Sequence, residues 1–112
     1  MKTVILLVAM FFSVAASADY VKATNAYISK VSTYGSGSVA GDVTFKISSP
    51  VAGCDDGYYL DDDLSGKEEV LSIVLSAFHT NAKVDVHGYN TPRWSGSSAG
   101  AFCKVEGLHL VK

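Results

Sequence analysis

Three groups of residues have types and spacings that could do chemistry. Asp85 and His87 fall two apart in Lys83-Val84-Asp85-Val86-His87, which on a strand puts both side chains on one face. A carboxylate beside an imidazole is the pairing of a small acid–base enzyme, provided that both line a pocket. His109, in a late apolar stretch, could approach His87 and make a two-ligand metal site, although isolated histidines on a sheet face usually pack or face water. Arg93 and Trp94 are the chain's only arginine and only tryptophan, side by side in a segment otherwise rich in Ser, Gly, Ala and Thr. An indole can stack on a sugar ring and a guanidinium can grip a carboxylate. Arg93, Trp94, His87 and Tyr89 are therefore the expected ligand-binding residues. The competing reading has Trp94 fold back as a cap.

Other chemistry is thin. Asp61, Asp63, Ser65 and Gly66 match positions one, three, five and six of a calcium loop, but position twelve falls on Ser72 where a bidentate glutamate is required. The same residues serve as the acidic flank of a helix, and Asp55, Asp56, Asp61, Asp62 and Asp63 read as a solvated acidic edge. No metal and no cofactor is expected. No Gly-x-Ser-x-Gly marks a nucleophile. Cys54 and Cys103, the only two cysteines, lack Cys-x-x-Cys spacing and a nearby ligand histidine, so a structural disulfide is expected instead of zinc or redox chemistry.

The elements that must position these residues are strands around one helix. Val70, Leu71, Val74, Leu75 and Phe78 recur at helical spacing within 65–81, with Val70, Val74 and Phe78 expected to face the core. Ser65 and Glu68 form a capping-box pattern, Asn81 suits a left-handed end, and His79 in the last turn suits the dipole. Tyr20–Tyr34 reads as a strand with a bulge at Asn25-Ala26. Gly35–Ser38 is a turn. Val39–Ile47 alternates, with Val39, Gly41, Val43, Phe45 and Ile47 on one face and Asp42, Thr44 and Lys46 on the other. Gly57–Leu60, Lys83–Tyr89 and Lys104–Val111 complete the strands, with a Gly/Ser-rich loop over Asn90–Phe102. The order β-β-β-α-β-β is that of the small Greek-key barrel called the OB-fold, with an open sheet crossed by one helix as the other arrangement.

Met1–Ala18 has the form of a secretory signal: Lys2, the apolar run Val4–Val14, then Ala16-Ser17-Ala18. The apolar run is short for a membrane helix. Cleavage before Asp19 leaves one domain over 19–112, exported to the periplasm or the medium. That domain carries eight Lys and Arg against eleven Asp and Glu, a formal charge of −3. Without a basic stripe, nucleic acid is not an expected partner. Membrane insertion after cleavage is not expected either, whereas an oligomer is compatible with the chain.

The signal, Gly53-Cys54 leading into an aromatic strand, the helix Val70-Leu71-Ser72-Ile73-Val74-Leu75-Ser76-Ala77, Lys83–His87 and the late Cys103 resemble small exported proteins of gammaproteobacteria. That resemblance covers most of 39–112 and its motifs are structural. More distantly, the strand–helix–strand order with a disulfide is similar to the OB-fold B subunits of bacterial five-subunit-ring toxins, which implies ring assembly and glycan recognition. No glycan-binding motif of those subunits transfers residue by residue. Three function classes follow: a non-catalytic binding or accessory domain for a glycan or small anion, a ring-forming toxin-like B subunit, and a small enzyme using Asp85 and His87.

Overall fold

A computed structural model describes residues 19–97 and 99–112; the expected signal, residues 1–18, lies outside them. The elements are β1 (Tyr20–Ala26), β2 (Ile28–Thr33), β3 (Val43–Ile47), β4 (Gly57–Leu60), α1 (Lys67–Thr80), β5 (Lys83–Tyr89) and β6 (Phe102–Val111). They build one six-stranded sheet in the order β1-β5-β6-β4-β3-β2. All neighbours are antiparallel except β4 and β6. The protein is mainly β with one helix, and among the described residues no helix is long and apolar enough to cross a membrane.

The expected first strand divides in two. Asn25 takes φ 51, and the β1–β5 register slips between Ala23 and Ala26. The Asn25 amide leaves the ladder and donates to Asp85 Oδ1 at 2.9 Å. β1 then pairs with β5 and β2 with β3, so successive halves of one segment, with Tyr27 between them, lie at opposite margins of the sheet. β3 begins at Val43, later than the alternation suggests, because Ser38–Gly41 forms a turn in which Gly41 has φ 84.

The core gathers the inward residues of every strand. Ala23, Ile28, Val43, Phe45, Ile47, Tyr58, Leu60, Val84, Val86 and Val105 form one buried cluster with Val74 and Ala77 of the helix. Phe45 and Tyr58 stack with ring centroids 5.2 Å apart. The expected disulfide is present: Cys54 and Cys103 are bonded with Cα atoms 5.3 Å apart, beside the parallel β4–β6 pair.

The helix departs from its sequence pattern at its start and on its apolar face. Gly66 is the N-cap and no side chain caps the first turn, so the Ser65–Glu68 box does not form; Glu68 and Glu69 supply negative charge there instead. The left-handed end at Asn81 does form, with φ 54. Val74 and Ala77 are buried and Val70 and Leu71 partly so, but Phe78 is 41% exposed and Leu75 is 40% exposed. Phe78 therefore does not face the core as its spacing suggests. Contact with β2 and β6 covers a face through Val70, Leu71, Val74 and Ala77 and leaves Leu75 and Phe78 outside it.

Candidate functional site

Outward residues of adjacent strands share a row wherever the register pairs them. One such row runs Ser32, Thr44, Tyr59, Lys104, Tyr89 and Tyr20 across five strand pairings. Alternation alone would leave this row in water. Thr44 and Tyr59 are buried instead, at 5% and 2% exposure. The cover is the loop between β5 and β6, residues 90–101: Tyr59 donates its hydroxyl to the Pro92 carbonyl. Trp94 packs edge-on to Phe102 with centroids 5.3 Å apart and tilts against Tyr34 at 5.2 Å.

Asp42 holds the cover in place. Its Oδ2 accepts from Trp94 Nε1 at 2.9 Å and its Oδ1 accepts from the Asp62 amide at 3.0 Å. Its own carbonyl accepts from Thr33 Oγ1 at 3.1 Å. One carboxylate, only 7% exposed, thus joins the loop after β2, the loop before α1 and the loop after β5. Lys67 adds a further tie, donating to the Gly41 carbonyl and to Asp62 Oδ1. Negative charge gathers here. Burial, then Asp42 and Asp63, push the Asp61 carboxyl above its ordinary range, against the pull of Lys104. Burial, followed by Asp61 and Asp42, pushes the Tyr59 hydroxyl up to about 12.

Trp94 is 5% exposed and hydrogen-bonded, so its indole caps the sheet and offers no free stacking face. Arg93, beside it, is exposed. Tyr89 lines an open cleft of about 470 Å³ with Leu64, Thr91, Pro92, Lys104 and Glu106. His87 lies away from that loop's tip, against Tyr20 and His109, with ring centroids 5.5 and 4.9 Å away. Asp85 is engaged by the Asn25 amide, and the structure shows no hydrogen bond between Asp85 and His87. The Asp61–Gly66 stretch is a turn into the helix, and among the described residues no three His, Cys, Asp or Glu side chains gather as a metal cage.

A second cleft, of about 140 Å³, has no signature in the sequence; it is lined by Lys30, Ser32, Tyr34, Thr44, Lys46 and Phe102. Lys30 and Lys46 are directly opposed across β2 and β3. Like charges in that position repel unless something offsets them. Neither lysine is in an ion pair, the Lys67–Asp62 contact being the one such pair among the described residues. Asp55 and Asp56 border a neighbouring hollow with Lys46, but Asp56 Oδ2 accepts from the Ala101 amide at 2.6 Å. Phe102 sits 5.9 Å from the Lys46 ammonium. Gly57, the residue paired with Phe102, has φ 128, and a Cβ there would meet the Phe45 carbonyl oxygen at 2.4 Å, so β3 and β4 approach closely only because this position is glycine. Lysines sixteen residues apart in sequence carry no mark of this proximity; only the strand register brings them together.

Comparison of the chain with protein-family models, with curated proteins and with solved structures finds no significant match. The site's own chemistry carries its interpretation.

Proposed function

We propose that this protein is an exported, non-catalytic binding module of the OB type, which takes an anionic ligand of the acidic-sugar class in the Lys30–Lys46 cleft. The observation that carries this reading is the opposed, unpaired lysine couple beside two aromatic rings in a chain of net negative charge. A carboxylate or sulfate between the two ammonium groups would remove their repulsion, and Phe102 and Tyr34 supply apolar surface for a sugar ring. The barrel reading is supported by the sheet order, by the parallel β4–β6 pair, and by the two margins being successive halves of one segment joined at Tyr27, although β1 and β2 are not paired with each other. Export is supported by the signal-like start and by the disulfide, a bond of oxidising compartments.

The test is a titration of the oxidised protein with a uronic acid and with its neutral parent sugar, followed by amide chemical shifts. The acid is expected to shift Lys30, Thr44 and Lys46, and added salt to weaken it. Lys46→Ala should remove about 1.5–3 kcal/mol of binding, the usual worth of a hydrogen bond to a charged group. Equal binding of the neutral sugar, lost in Tyr89→Ala, would move the site to the wider cleft. Absence of shifts with every anion tried would refute the proposal.

A further inference from the structure

The geometry points to a second site, independent of the anion cleft: His87 and His109 bind a divalent late first-row metal ion, copper or zinc, on the outer face of β5 and β6. His87 is paired with Gly107, and His109 with Asp85, so both imidazoles leave the same side of the sheet. Their ring centroids are 4.9 Å apart. Between them Gly107 contributes no side chain. A Cβ built on it would lie 3.4 Å from His109 Nε2 and 4.0 Å from His87 Nδ1. One nitrogen from each ring therefore borders the same gap.

The backbone creates that gap. Gly88 is opposite Val105 while His87 is opposite Gly107, which leaves Glu106 as an extra residue in β6. Such a bulge re-aims the side chains beyond it. An ion held at about 2.0–2.1 Å from each nitrogen needs the two nitrogens within about 4 Å of one another, and the rings turn about their side-chain torsions to bring them there. Two imidazoles select ions that favour nitrogen, and copper binds such sites most tightly among the divalent series. Calcium and magnesium need oxygen cages instead. With no third His, Cys, Asp or Glu gathered at the site among the described residues, water or a ligand completes the coordination.

The surrounding charge has both signs. Asp85 stands on the same face and favours a cation, although its Oδ1 is held by the Asn25 amide. Lys22, opposite His87, opposes it, but its ammonium lies 5.5 Å from the centroid of the Tyr20 ring. Tyr20 itself packs edge-on to His87, with ring centroids 5.5 Å apart.

The experiment is calorimetric titration of the oxidised protein with Cu²⁺ and then Zn²⁺, with electron paramagnetic resonance of the copper form. The expected result is one ion bound per chain, with nitrogen hyperfine structure. His87→Ala and His109→Ala should each weaken binding by more than the roughly tenfold that even an outer-shell partner contributes. Gly107→Ala keeps both rings but fills the gap, and should weaken binding too. His79→Ala, on the helix, should change nothing, and circular dichroism of each variant checks that it is folded. The inference is overturned by a wild-type protein that binds neither ion, by full binding in the His87→Ala/His109→Ala double variant, or by unaltered affinity in Gly107→Ala.

Discussion

Two buried polar groups of this protein lie at opposite extremes of satisfaction. The Tyr58 hydroxyl is fully buried with no hydrogen-bond partner among the described residues, and burial pushes its pKa up to about 12. An unpartnered buried hydroxyl costs about 1–3 kcal/mol, while the ring beneath it packs on Phe45. Tyr58→Phe is therefore expected to leave stability unchanged or raise it by about 1 kcal/mol, as read by chemical denaturation. A loss of stability would mean that the hydroxyl has a partner. Asp42 is the converse case, since each carboxylate oxygen accepts a hydrogen bond from a different segment. Trp94→Phe keeps an aromatic ring but removes the donor to Oδ2, and should cost about 1–3 kcal/mol. Denaturation midpoints of the variant and of Asp42→Asn would show whether the two losses overlap, as they must if one bond is shared.

Among the elements, the helix makes the sharpest prediction because two neighbours on its apolar stripe differ in burial. Val74 is fully buried whereas Phe78 is 41% exposed. Val74→Ala should cost about 2 kcal/mol, from about 0.8 kcal/mol per buried methylene plus the cavity left behind. Phe78→Ala should cost less despite removing the larger side chain, and melting curves of the two variants would decide. Periodicity marked both residues as apolar, but the angle at which the helix meets β2 and β6 is a tertiary property that spacing does not encode. The strands were more legible. Lys83–Tyr89 follows its alternation from end to end, and Asn25 announced the bend where β1 and β2 part. Thr44 and Tyr59 were not legible as buried residues, because their cover comes from a loop dozens of residues later in the chain. The proposed ligand face was hidden as well, because Lys30 and Lys46 are ordinary outward lysines until strand register opposes them.

For the molecule as a whole, one covalent bond links the start of β4 to the start of β6, across 49 residues. A loop of that order closed in the unfolded chain corresponds to about 4 kcal/mol in the entropic model. Typical domains are stable by only about 5–15 kcal/mol, so a Cys54→Ala/Cys103→Ala variant should unfold at much lower denaturant. The intact protein should weigh two hydrogens less than its dithiol form, and two freely alkylated thiols in the unreduced protein would contradict the bond. The division of residues 20–33 between the two margins bears, finally, on how the chain is made. Synthesis delivers the amino end first. β2 can pair once Val43–Ile47 emerges, whereas β1 must wait for Lys83–Tyr89. In the interval its backbone groups are open to other unfinished chains, and an open strand is a template for aggregation. Lys22 puts a charge in that strand and Asn25 a left-handed bend. The positions least suited to a regular strand are thus the ones that keep a half-made chain from pairing with its neighbours.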